Sequence, residues 1–264
     1  MGSASRQALA AAKAEVSAFY GSVPLEAAQQ LFEAARVIDG QAQLRSALVD
    51  PSVEAGTKRA LVARVFGRFD TSAIRLLTVI AGHRWSSADE LIAGIEEVGI
   101  RAIVSSVTPG VSLDTELHSF GAVVASDAQL ELALGSKLAS ADSKLALVQR
   151  LLEGKASAES LAILRQVIAH PRGRRVPELI RFAAGLVADQ GGYILATVSV
   201  AGPLSSHQLD RLRTALTRQY GRPVSVTVVI EPDLLGGMRL HVGDEVIDGT
   251  VSARLSDLKR QLAS

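Results

Sequence analysis

Two stretches of this chain repeat one another, and the repeat restricts the folds open to it more than any other feature. Setting Leu25 on Leu113 and Phe32 on Phe120 brings Asp39 onto Asp127. A two-residue adjustment then matches Leu44, Ala47, Leu48, Lys58, Ala60, Leu61, Val62 and Arg64 to Leu130, Ala133, Leu134, Lys144, Ala146, Leu147, Val148 and Arg150. The first register returns further on, with Val79-Ile80-Ala81 on Val167-Ile168-Ala169 and Glu90-Leu91-Ile92 on Glu178-Leu179-Ile180. Chance matching between Ala/Leu-rich helices can supply part of this pattern, and duplication of a helical half-bundle is the favoured reading.

The apolar spacing supports helices throughout this region. From Ser3 to about Phe182 it is helical almost everywhere, punctuated by Ser, Gly, Asp and Pro at intervals typical of helix ends. Leu9, Ala12, Val16 and Phe19 share one face of a first helix, Ser22 with Pro24 opens a second, and Asp39-Gly40 stops it. Ser87 with Glu90 forms a capping-box pair ahead of Leu91, Ile92 and Ile95.

After Gln190-Gly191-Gly192 the period changes to two. Ile194, Ala196, Val198 and Val200 alternate with Leu195, Thr197 and Ser199, as a strand with one buried face requires. Ser205 with Gln208 opens an amphipathic helix through Leu209, Leu212, Leu216 and Tyr220, which Gly221 and Pro223 close. Val224, Val226, Val228 and Ile230 mark a second strand and Met238, Leu240 and Val242 a third, with Gly236-Gly237 as the turn of an antiparallel hairpin between them. Val251, Leu255, Leu258 and Leu262 make one stripe of a closing helix, which covers the small sheet, a partner helix, or both. The fold class is therefore mainly α, with a partly duplicated N-terminal helical bundle followed by a small α+β C-terminal domain.

Composition removes several function classes. With 264 residues the chain suits two modest domains, and its 4% of aromatic residues favours close-packed helices over a pocket lined with large rings. A formal net charge of +1 without long single-sign blocks gives no field that points to nucleic acid. There is no cysteine, hence no disulfide, thiol catalysis or thiolate metal site, and a cytoplasmic chain fits. The N-terminal segment carries Arg6, Lys13 and Glu15, unlike a secretory signal, and the apolar run from Ile74 to Ala81 is far shorter than the roughly 18 residues a bilayer span needs. Membrane association is expected only through partners.

Individual motifs favour modest readings. Gly236-Gly237 lies in no phosphate-binding pattern, and a strand rather than a helix follows. His83, His118, His170, His207 and His241 are scattered singly, without a second ligand at helical spacing. No nucleophile elbow surrounds any serine, and those near helix starts serve as caps. No catalytic residue, cofactor or metal is expected. The basic run His170-Pro171-Arg172-Gly173-Arg174-Arg175 reads as a solvated helix connection that offsets the negative end of the preceding helix, and Trp85 as a packing staple. An adaptor that clamps partner helices, a small-ligand enzyme using the α+β domain, and a nucleic-acid adaptor resting on Arg172, Arg174 and Arg175 are the readings left by residue chemistry alone, with the first favoured.

The segment Val224 to Gly243 resembles the C-terminal signature of the ATP synthase delta family, whose mitochondrial branch is the oligomycin-sensitivity-conferring protein. Ile230-Glu231-Pro232-Asp233 with Leu234 is similar to the family's acidic turn, Gly236-Gly237 to its glycine pair, and Leu240 and Gly243 to the strand beyond. Val246-Ile247-Asp248-Gly249-Thr250 resembles its terminal strand-to-helix step, in which Asp248 is placed to cap the helix that follows. Upstream, residues 112 to 189 resemble the family's helical bundle, including Val167-Ile168-Ala169-His170. On this basis residues 1–105 form an extra helical segment resembling a duplicated half-bundle, 106–190 the family bundle and 191–264 the small α+β domain. The extra segment departs from the usual family length and resembles extended forms of high-GC Gram-positive bacteria. The resemblance implies a non-catalytic stator subunit of the proton-translocating F-type ATP synthase. Its helical domain would grip the alpha and beta subunits. Its C-terminal domain would hold the b subunit through Val251, Leu255, Leu258 and Leu262, at the cytoplasmic face of the cell membrane.

Overall fold

The computed structural model describes residues 1–19, 23–107, 111–243 and 245–255, so Ser22, Leu258 and Leu262 lie outside the described residues. The chain divides into two compact units, Met1–Val187 and Ala188–Ser264. The first is helical: α1 (Ser3–Ala18), α2 (Leu25–Gly40), α3 (Ala42–Val49), α4 (Ala55–Val65), α5 (Thr71–Gly82), α6 (Ala88–Ser106), α7 (Leu113–Ser126), α8 (Ala128–Gly135), α9 (Ala141–Leu152), α10 (Ala158–Ala169) and α11 (Val176–Gln190), the last running into the second unit.

Five helices recur in order, α2 to α6 returning as α7 to α11. The match extends to the interior. Phe32 and Phe120, Leu48 and Leu134, Val62 and Val148, and Ile80 and Ile168 are buried at equivalent places, as are the lysines Lys58 and Lys144. A lysine is seldom buried, so its recurrence at one site is the least accidental sign of duplication. α1 precedes the repeat and packs on α5 and α6 through Ala8, Leu9, Ala12 and Val16. Phe19 caps that helix instead of extending its stripe, and Arg75 lies over its ring at 4.7 Å.

Helix starts follow side-chain chemistry. Ser87, Ser140 and Ser157 each accept the amide three residues on, and Asp70 and Asp127 accept amides in the first turns of α5 and α8. At Ser87 the expected reciprocal bond is replaced. The Glu90 carboxylate instead accepts the Gly2 amide at 3.0 and 3.2 Å and faces the N-terminal ammonium, since those donors outcompete one amide of its own helix. Trp85 is a packing staple: it is buried, donates its indole N–H to the Ile80 carbonyl at 2.9 Å and lies against Gly94.

The second unit holds β1 (Ile194–Val200), α12 (Ser206–Tyr220), β2 (Val224–Ile230), β3 (Met238–Val242) and β4 (Glu245–Asp248). Ser205 and Gln208 complete both halves of the capping box, and Gly221 closes α12 in the left-handed conformation. The strand order is β2-β1-β3-β4. β1 pairs with β2 in parallel and with β3 antiparallel, so the expected β2–β3 hairpin does not form. The reason is topological: α12 carries the chain back to lay β2 parallel beside β1, and β3 takes the opposite edge of β1. The hairpin is β3 with β4. Ala196, Val198, Val200, Leu216, Val224, Leu240 and Val242 form the core of this second unit.

Candidate functional site

The signature residues are held by short-range chemistry at one end of the sheet. Past Ile230, the Glu231 amide donates to the Val200 carbonyl at 2.8 Å, prolonging the parallel ladder by one residue. The Glu231 carboxylate accepts the Ser199 hydroxyl at 2.7 Å, and the Leu234 amide turns back to the Glu231 carbonyl at 3.1 Å. Arg239 stands between two acids, 3.9 Å from Glu231 and 3.4 Å from Asp248.

The glycine pair serves a close crossing. Gly237 has φ +81°, and a Cβ there would fall 2.4 Å from the Gly249 carbonyl oxygen and 2.9 Å from Thr250 Cα. The Gly236 carbonyl accepts the Val251 amide at 3.1 Å and the Met238 carbonyl accepts that of Gly249 at 2.9 Å. Two backbone segments are thus laced together, and the helical segment at 251–255 starts from that crossing. Its cap is Thr250, buried, whose hydroxyl accepts the Ala253 amide at 3.2 Å. Asp248, expected to cap this helix, instead accepts the Thr250 amide at 2.9 Å. That bond, then the one from the Thr250 hydroxyl and the nearby Arg239, hold its carboxyl below the usual carboxylate range.

The structure therefore brings together Ile230, Glu231, Leu234, Gly236, Gly237, Asp248 and Gly249. Leu240 lies in the core, and Gly243 closes the β3–β4 turn with φ +59°. Ser199 and Arg239 complete the arrangement, with Thr250 of the strand-to-helix step as the cap. Thr250 was readable as a cap, whereas Ser199 and Arg239 give no local signal because their partners lie on other strands. Ile230, Leu235, Val251 and Leu255 are exposed apolar side chains around this end.

On the helical unit the two copies differ outside. Val123, Leu132, Leu138 and Phe182 are exposed in the second copy, Leu132 at 75% and Leu138 at 100%. The repeat register places Ser46 and Ser52 of the first copy at the positions of Leu132 and Leu138. The basic run is exposed, as expected of a solvated connection, and is also paired: Arg172 with Glu96, Arg174 over the Phe182 ring at 5.0 Å and Arg175 with Glu131 at 2.6 Å. Among the described residues no cluster of metal-ligating side chains occurs, and no helix is long and apolar enough to cross a membrane.

The family model of the ATP synthase delta (OSCP) subunit matches residues 111–262. ATP synthase subunit delta of Leifsonia xyli is 47% identical over 100% of both chains. The subunit delta of Streptomyces griseus is 35% identical, again over 100% of each, so the segment ahead of the family model has its counterpart in these relatives. A chain of the Toxoplasma gondii mitochondrial ATP synthase hexamer aligns with 62% of this chain and 95% of its own, at 20% identity and a TM-score of 0.38, too loose a likeness to carry weight. The chain belongs to the ATP synthase delta (OSCP) subunit family, and is a structural, non-catalytic stator subunit of the F-type enzyme.

Proposed function

We propose that the helical unit grips the alpha and beta subunits of the catalytic head and that the C-terminal unit holds the b subunit of the peripheral stalk. Such a tie between head and stalk at the cytoplasmic face of the membrane resists the torque of the rotor. The observation that carries this reading is the outward leucine pair of the second copy, Leu132 and Leu138, which stands where the first copy has serines. Apart from Met1 and Val65, the large exposed apolar side chains of the helical unit lie on the second copy; such a concentration marks a docking surface, and this copy lies within the span that matches the family model. Residues 106–190 are accordingly assigned to the head, residues 1–105 to an added half-bundle, and 191–264 to the stalk. At the stalk end Val251 and Leu255 are exposed and begin the apolar stripe that Leu258 and Leu262 continue in sequence.

Copurification from membranes tests this. The wild-type chain is expected with alpha, beta and b subunits. Leu132→Asp with Leu138→Asp is expected to lose alpha and beta, and Leu255→Asp to lose b, with unchanged circular dichroism in each. Recovery of the wild-type chain as a free monomer, or retention of all partners by folded variants, refutes the assignment.

A further inference from the structure

We propose that α6 is a spine common to both helical copies and that Glu96 latches the second copy onto it, a positioning role beyond anything the stator reading assigns. α6 touches α1, α2, α3 and α5 of the first bundle and also α10 of the second copy. Its segment from Leu91 to Ile103 is buried nearly all round, unlike a surface helix with one apolar stripe. In repeat order α6 stands to α10 as α1 stands to α5, so one helix ends the first bundle and begins the second.

Two adjacent acids on this helix serve different partners. Glu97 pairs with Lys13 of α1 at 3.1 Å and with Arg101 at 2.9 Å. Glu96 accepts the Gln166 amide of α10 at 2.9 Å and is gripped by Arg172, whose Nε lies 2.9 Å from one oxygen and Nη2 3.1 Å from the other. The Gln166 carbonyl in turn accepts Arg36 of α2 at 3.1 Å. The chain Arg36, Gln166, Glu96, Arg172 thus passes back and forth between the copies. Gln166 is buried and Glu96 has only 16% of its side chain exposed, which makes loss of any member costly.

The backbone at Arg172 supplies an independent sign. Among the described residues it is the one non-glycine with positive φ, at 45°, and Gly173 follows it. A turn needing that conformation alone is better served by glycine. An arginine held there, with its fork closed on Glu96, points to the side-chain contact as the reason the strain is kept. Asp39 and His170 are the other titratable groups near Glu96 or Arg172.

The test uses the full chain, whose lack of cysteine lets an introduced pair be spin-labelled uniquely. Ser17→Cys with Gln149→Cys measures between copies, and Ser17→Cys with Ala63→Cys within the first. In Glu96→Gln and Arg172→Gly the between-copy distance distribution is expected to broaden while the within-copy one holds. Amide exchange in α10 is expected to accelerate about tenfold, the scale of one lost charge-assisted bond. Arg172→Lys, which keeps charge but not the fork, is expected to fall between. Arg172→Gly with wild-type distances and exchange overturns the proposal, since relief of strain would then be the whole effect. Equal broadening within and between copies overturns it too, because Glu96 would then support only the general fold. Retention of the alpha, beta and b subunits is a separate measurement, so failure here leaves the docking assignment standing.

Discussion

Replacing Gly237 by alanine tests the crossing that launches the terminal helical segment. The new methyl would meet two strains. At φ +81° a side chain costs about 1 kcal/mol in backbone strain. Its Cβ would also fall 2.4 Å from the Gly249 carbonyl oxygen and 2.9 Å from Thr250 Cα. Both neighbours are backbone, fixed by the hydrogen bonds from Gly249 to Met238 and from Val251 to Gly236, so neither yields as a flexible side chain would. Displacing them adds about 1–3 kcal/mol, for a total of about 2–4 kcal/mol. Gly243→Ala is the matched control, with φ +59° and nothing within 4 Å of its Cβ, and carries the conformational cost alone. Amide exchange followed by mass spectrometry on the full chain separates the contributions. Protection in β1 and β3 is expected to fall by roughly 30- to 1000-fold in Gly237→Ala and about fivefold in Gly243→Ala, with α2 and α6 unchanged. Equal losses in the two variants would refute the close-crossing argument.

Gly94→Ala places a methyl 2.1 Å from the Trp85 ring. Overpacking is expected to destabilise the helical unit by about 1–3 kcal/mol and to shift the emission of this single tryptophan, and an unaltered spectrum and urea midpoint would contradict it. Burial pushes His118 and His170 below 6.5, aided at His170 by Arg36 and Arg172. The unfolded chain therefore binds more protons just below that pH, and stability is lost as pH falls from 6.5 through the lowered folded values. Burial raises Glu96 above 4.5, so it acts in the opposite sense at lower pH. The urea midpoint is expected to drop between pH 7.5 and 5.5 and to drop less in His170→Asn, whereas a flat or rising midpoint counts against burial as the cause.

Local chemistry was legible in the sequence where one element decides it. Ser205, Gln208 and Gly221 bound α12 because caps act within a turn or two, and the change from a period near 3.6 to two marks the sheet. Strand neighbours were not legible. Alternation reports which face is buried and is silent on which strand lies alongside, so Gly236-Gly237 was read as a hairpin turn when it bridges separate edges of β1. Long-range polar choices were hidden for the same reason. Nothing near Glu90 announces Gly2, nothing near Glu96 announces Arg172, and the acids that pair with the exposed basic run sit 76 and 44 residues away in Glu96 and Glu131.

The shifted titratable groups bear on what kind of protein this is. In an enzyme such groups gather in a cleft, where burial and a charged partner tune them for proton transfer. Here Glu96 and His170 are half-buried at the seam between two helical copies, and Glu116 is lowered by bonds from Ser157 at the start of α10. Asp248 is held down by the amide of the residue that caps the last helical segment. The carboxylates Glu96, Glu116 and Asp248 each join one segment to another through hydrogen bonds, which ties their proton state to the fold. In a subunit whose task is to resist torque, pH sensitivity belongs in its stiffness rather than in turnover. The variants that soften it are accordingly expected among residues at the joints, such as Glu96 and Arg172, rather than in any pocket.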